Sequence, residues 1–119
     1  MTHSQPVTLE TVRRIAQQFP GVEEYLFFGT PAFRVRKKFL SRLKEDGESL
    51  VMRINDPIEK DMLLQNEPNI YCITDHYVGY PYVLIRLANI HPDDLQLFFE
   101  NAWRSAAPKR LIAAYDHER

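Results

Sequence analysis

The chain has 119 residues, 45% of them hydrophobic and 26% charged, and a net charge of −1. This fits one globular domain with its own core, and it excludes a disordered chain and a globally basic nucleic-acid binder. A single cysteine, Cys72, rules out an internal disulfide and fits a reducing cytoplasm.

Residues 1–7 read as a flexible tail and residues 8–116 as the domain. Thr2, His3, Ser4 and Gln5 stand where a signal peptide would carry positive charge. No apolar run approaches the ~18 residues of a membrane span, so no membrane association is expected.

Thr8 is an N-cap candidate for a first helix, with Leu9, Val12, Ile15, Ala16 and Phe19 at helical spacing. Pro20-Gly21 ends it. Four short strands follow: Tyr25–Phe28, Ala32–Arg36, Phe39–Lys44 and Ser49–Ile54. Gly29-Thr30-Pro31, Lys37-Lys38 and Asp46-Gly47 are the expected turns. Runs this close together predict an antiparallel meander, because parallel strands need long crossovers.

Asp56 and Pro57 suit the N-cap and first position of a second helix, with Ile58, Met62 and Leu63 as its apolar stripe. A fifth strand is expected over Ile70–Thr74, a Tyr- and Gly-rich loop over Asp75–Pro81, and a sixth strand over Tyr82–Leu87. Pro92 opens a third helix, carrying Leu95, Phe98, Phe99, Ala102, Trp103 and Ala106 on one stripe. Pro108 breaks it, and Lys109–Tyr115 forms a short last helix. The fold class is therefore α+β: an antiparallel sheet of about six strands with the N- and C-terminal helices on one face.

Strand alternation sorts the side chains. Phe33 and Val35 oppose Arg34 and Arg36. Phe39 and Leu43 oppose Arg42 and Lys44. Leu50, Met52 and Ile54 oppose Ser49, Val51 and Arg53. Val83, Ile85 and Leu87 oppose Tyr82, Leu84 and Arg86. One face is apolar and the other collects cations. Residues 32–54 carry a charge of +4, against −1 for residues 1–31 and −4 for residues 55–119. Solvation alone accounts for such a face. The functional alternative is weak, non-specific DNA binding through Arg34, Arg36, Lys37, Lys38, Arg42, Arg53 and Arg86, with Tyr82 or Tyr71 available for stacking.

A second candidate is the Asp75–Tyr82 loop, with Asp75, His76, Tyr77 and Tyr80 as ligand-binding residues. A histidine beside a carboxylate can act as a base or metal ligand, but the sequence supplies no third partner. Packed rings and a capping Asp explain the same residues. This candidate predicts that the loop and Gly29–Phe33 meet around one pocket, serving a small ligand or a protein partner. No catalytic residue, metal site or cofactor is expected, and a monomer is favoured. An enzyme would need His76 to meet another ionisable group in a cleft.

The motifs Pro20-Gly21-Val22-Glu23-Glu24, Gly29-Thr30-Pro31-Ala32-Phe33, Thr74-Asp75-His76-Tyr77, Gly79-Tyr80-Pro81 and Ala107-Pro108-Lys109-Arg110 together resemble the MmcQ/YjbR family, a domain of unknown function. The resemblance runs from about Thr8 to Asp116. It implies a bacterial, cytoplasmic, non-enzymatic protein with a CyaY/frataxin-like fold, of a kind often labelled DNA-binding. The frataxin-like fold also raises iron binding through an acidic ridge. Here the first helix holds only Glu10, beside Arg13 and Arg14, which argues against it.

Overall fold

A computed structural model of the chain describes residues 6–118. Residues 1–5 of the expected tail and Arg119 lie outside the described residues, whereas Val7 packs into the core. Thr8 caps helix α1 (Leu9–Ala16) through reciprocal bonds with Thr11. The meander is β1 (Val22–Phe27), β2 (Thr30–Val35), β3 (Lys38–Leu43) and β4 (Ser49–Arg53). Then come α2 (Pro57–Asn66), β5 (Tyr71–Cys72), a 3₁₀ turn at Asp75–Tyr77, β6 (Tyr82–Arg86), α3 (Pro92–Ala106) and α4 (Lys109–His117). All strand pairs are antiparallel, in the order β1-β2-β3-β4-β6-β5. The α+β architecture with six strands stands as expected from the sequence.

Helices α1 and α3 cover one face of the sheet. Val12 and Ile15 of α1 and Leu95, Phe99 and Trp103 of α3 pack with Phe33, Leu50, Met52, Val83 and Ile85. Trp103 is fully buried, and its indole N–H donates to Pro20 O at 2.8 Å. The rings of Phe19 and Tyr115 lie 5.6 and 5.1 Å from it, which docks α4 on the end of α1. Gly21, with φ +79, lies where a Cβ would come within 2.8 Å of Leu111 Cδ1. It turns the chain into β1 beneath α4.

Three local expectations are corrected. The β2–β3 turn is Arg36-Lys37, not Lys37-Lys38. Both residues have positive φ (50° and 69°), as a two-residue hairpin turn matching the strand twist requires. In β3, Phe39 pairs with Arg34 while Ser41 pairs with Phe33, leaving Leu40 as an extra residue. This bulge reverses the alternation: Leu40 enters the helix-side core, and Phe39 joins Arg42 on the outer face. In α2, Ile58 and Met62 are exposed, and the buried side carries Leu63, Leu64 and, unexpectedly, Lys60.

Two smaller shifts have electrostatic and capping causes. β1 starts three residues earlier than its apolar pattern indicates, because both its glutamates are engaged. Arg34 bonds Glu23 at 2.8 Å, and Arg13 of α1 grips Glu24 at 2.9 Å. β5 stops at Cys72, and Thr74 turns the chain into the 3₁₀ turn.

Candidate functional site

The outer face of the sheet is built in rungs. Glu23, Arg34 and Phe39 align across β1, β2 and β3, and Arg53 pairs with Tyr82 across β4 and β6. The next rung runs Tyr25, Ala32, Arg42, Val51, Leu84 and Cys72 across all six strands. Beyond it, Phe27 pairs with Thr30 and Ser49 with Arg86. Ala32 supplies only a methyl group between Tyr25 and Arg42, so the larger rings around it border a depression.

The Asp75–Pro81 loop folds over this face. Tyr77, only 9% exposed, packs on Val51 and Leu84 in a second, smaller apolar cluster. Its ring stands edge-on to Tyr82 at 6.1 Å, and Tyr82 is edge-on to Phe39 at 5.5 Å. Phe39 in turn meets Phe27 edge-on at 6.1 Å. These offset arrangements are the favourable ones for aromatic pairs.

Lys60 holds the loop down. Lys60 is 8% exposed, and its ammonium donates to Tyr77 O at 3.0 Å and Tyr80 O at 2.5 Å. Burial pushes its pKa below the ordinary lysine value, with Asp61 acting the other way. The sequence reading missed this residue. Its one signal was helical spacing, since Lys60 sits on the same side of α2 as Leu63 and Leu64.

Between the loop and the β1–β2 hairpin lies an open concavity of about 430 Å³. Phe27 and Phe28 form the hairpin wall, Tyr77, Tyr82 and His76 the loop wall, and Tyr25, Phe39, Arg42 and Val51 the remainder. Phe28 is 89% exposed at φ 50, beside Gly29 at φ 86. A bulky side chain in the left-handed region is strained, and such strain concentrates at functional sites.

The Arg42 side chain is 14% exposed. Its guanidinium reaches Thr30 Oγ1, Leu43 O and Glu45 Oε2 at 3.4 Å and Tyr77 Oη at 3.5 Å. All four contacts are long for hydrogen bonds.

The candidate DNA-binding residues separate into groups. Arg34 bonds Glu23 and lies 4.1 Å over the Tyr25 ring. Arg42 faces Glu45, and Arg53 donates to Asn55 Oδ1 and Phe39 O. Arg36, Lys37 and Lys38 cluster, exposed, at the β2–β3 hairpin end. Arg86 stands apart on β6, opposite Ser49.

Of the candidate loop residues, His76 and Tyr77 line the concavity. His76 is exposed, its ring edge-on to Tyr77 at 5.4 Å. Tyr80 is exposed beside Lys60 in a separate groove lined also by Asp61 and Pro81, and Asp75 opens the 3₁₀ turn, its backbone carbonyl accepting from the Val78 N–H. The loop meets the β1–β2 hairpin at Phe27 and Phe28, just before the expected Gly29–Phe33. Among the described residues no cluster of three or more His, Cys, Asp or Glu is placed to hold a metal ion. Nor is any helix among them long and apolar enough to cross a membrane.

Three mycobacterial proteins, all described as uncharacterized, are similar to this chain. One is from Mycobacterium bovis and two are from Mycobacterium tuberculosis strains CDC 1551 and H37Rv. Each is 41% identical over 69 residues, covering 58% of this chain and 54% of the relative. The matched segment thus spans about half the length of these relatives. The YjbR family model matches residues 17–105, from the end of α1 through most of α3. The chain belongs to the YjbR family.

Proposed function

We propose that this protein is a non-enzymatic binding module that takes a flat aromatic small molecule in the concavity between the β1–β2 hairpin and the Asp75–Pro81 loop. One observation carries the reading: six aromatic side chains from three separate segments, Tyr25, Phe27, Phe28, Phe39, Tyr77 and Tyr82, border a single volume of about 430 Å³. Ligand sites have this size and this mixture of rings with a few polar groups. Stacking is sequence-tolerant chemistry that needs only a π-face on the ligand. A binding role rather than catalysis is favoured by His76. Its ring packs on Tyr77, and no carboxylate lies within ion-pairing distance of it among the described residues.

Weak, non-specific DNA binding is the second reading, favoured by Arg36, Lys37 and Lys38. These are exposed at one hairpin end, with no ion pair among the described residues. One experiment separates the two readings. Two-dimensional NMR spectra are recorded with a panel of aromatic fragments and, separately, with duplex and single-stranded DNA at low salt. The pocket reading expects fragment-induced shifts at Tyr25, Phe27, Tyr77 and Tyr82. It fails if millimolar fragments leave those signals in place. The DNA reading expects salt-sensitive shifts at residues 36–38, and no binding below ~100 μM sinks it.

A further inference from the structure

Resting on the pocket reading, we infer that the ligand is an aromatic monocarboxylate whose carboxylate is taken by Arg42. The guanidinium lies at the wall of the concavity with 14% of its side chain exposed. It has already lost most of its water, yet its four protein contacts all lie at 3.4–3.5 Å. Other arginines in this chain show what full engagement looks like. Arg13 grips Glu24 through two nitrogens at 2.9 Å, and Arg104 grips Asp116 at 2.7 and 3.1 Å. Arg42 therefore keeps most of its bonding capacity, in a largely buried place at the wall of the concavity. A planar fork in that state selects a planar two-oxygen anion.

The charge count selects the class further. Among the described residues Arg42 is the one arginine or lysine lining the concavity, and Glu45 stands 3.4 Å from its Nη1. A hydrogen bond from its own backbone, and then the charge of Arg42, hold the Glu45 carboxyl below the usual carboxylate range, so Glu45 stays ionised near neutrality. One partly compensated guanidinium matches a single negative charge. Lys44 Nζ stands 6.0 Å over the Tyr77 ring but is not among the lining residues, so a phosphate dianion would face Glu45 with no second cation lining the concavity. The Phe27 ring, 5.4 Å from the Arg42 guanidinium carbon, places an aromatic surface beside the anion position, so ring and carboxylate are engaged together.

The test uses three matched probes, 1-naphthoate, 1-naphthamide and 1-naphthyl phosphate, titrated into the full chain by calorimetry. Naphthoate should bind about tenfold tighter than naphthamide, the margin expected for a charge-assisted pair. In Arg42→Gln that margin should vanish while naphthamide binding persists. Glu45→Gln, a surface change, should tighten naphthoate about threefold by removing the competing carboxylate. It also keeps the inference testable should Arg42→Gln fail to fold. Equal binding of naphthoate and naphthamide overturns the anion inference and leaves the aromatic pocket standing. Absence of binding by all three overturns the pocket itself. Tighter binding of the phosphate overturns the monocarboxylate class. A naphthoate preference untouched by both substitutions removes Arg42 from the site.

Discussion

Phe28 sets stability against binding, and replacing it with Asn tests both sides. The residue occupies the first central position of a two-residue turn at φ 50, with Gly29 at φ 86. A side chain with a Cβ pays about 1–2 kcal/mol for this region, whereas Asn adopts it readily and Asn-Gly is the preferred pair for such turns. Phe28 is 89% exposed, so its removal forfeits little burial. The main loss is its contact with the Phe27 ring at 4.8 Å, worth about 0.5 kcal/mol at the surface. The balance is a gain of about 1 kcal/mol in unfolding free energy, read by urea denaturation with an unchanged m-value. Affinity for an aromatic fragment should fall about tenfold, the cost of one stacking ring. Arg36→Asn is the control: it relieves the same backbone strain at the neighbouring hairpin and should leave fragment binding alone. A Phe28→Asn protein less stable than the parent would refute the strain argument. One that binds fragments as before would remove Phe28 from the site.

Two further substitutions probe the loop and the core. Lys60→Met should lower stability by about 2 kcal/mol, since Tyr77 O and Tyr80 O both lose a charged donor while water can reach the more exposed Tyr80. Hydrogen exchange should rise across residues 75–80, and a stability change below about 0.5 kcal/mol would mean the loop is held by its rings alone. Tyr71, 3% exposed, has its pKa pushed up to about 12 by burial, with Glu67, Asp94 and Glu59 adding to the shift. The unfolded phenol ionises near 10, so the unfolded chain binds fewer protons between pH 10 and 12 and stability falls across that window. The full loss is about 3 kcal/mol. Tyr71→Phe should flatten that limb of the stability profile. The parent's difference from this variant isolates Tyr71 from Tyr25, which shifts in the same sense, and from Lys60, which shifts in the opposite one. An unchanged slope would show that the shift is absent.

The elements legible in the sequence are those governed by local chemistry. The Thr8 cap, the Asp46-Gly47 hairpin and the Pro92 start act within a few residues and stand where their patterns indicate, whereas α1 ends at Ala16, ahead of the expected Pro20-Gly21 stop. The misreadings come from contacts made at distance. The period-2 reading of β3 assumes an unbroken ladder, and Leu40 breaks it by pairing with nothing on β2. The α2 stripe favours Ile58 and Met62 on hydrophobicity. Lys60 is buried instead because carbonyls 17 and 20 residues away receive its ammonium. The concavity was half legible, since Asp75–Tyr82 and the region after Phe28 were expected to meet. Its floor depends on the Leu40 bulge, which turns Phe39 outward and has no sequence signature beyond adjacent Phe and Leu.

The same bulge changes what the charge pattern means. Counted along the chain, residues 32–54 are strongly basic, which suggests a face for phosphates. Folded, that face brings Glu23 against Arg34 and Glu45 against Arg42. A phosphate would have to compete with each carboxylate, and a surface pair of this kind is worth less than about 1 kcal/mol to either partner. The competition is therefore mild for Arg34, whose side chain is 35% exposed, and sharper for Arg42, where dehydration strengthens every interaction. Arg36, Lys37 and Lys38 are left as the cluster of exposed cations, displaced to the hairpin end. What the middle of the face offers instead is rings around one largely buried guanidinium, that of Arg42. Cations recruited at separate spots attract a polyanion weakly and without register, whereas one guanidinium among rings distinguishes one small anion from another. The outer face thus supports the proposed ligand reading over the DNA reading.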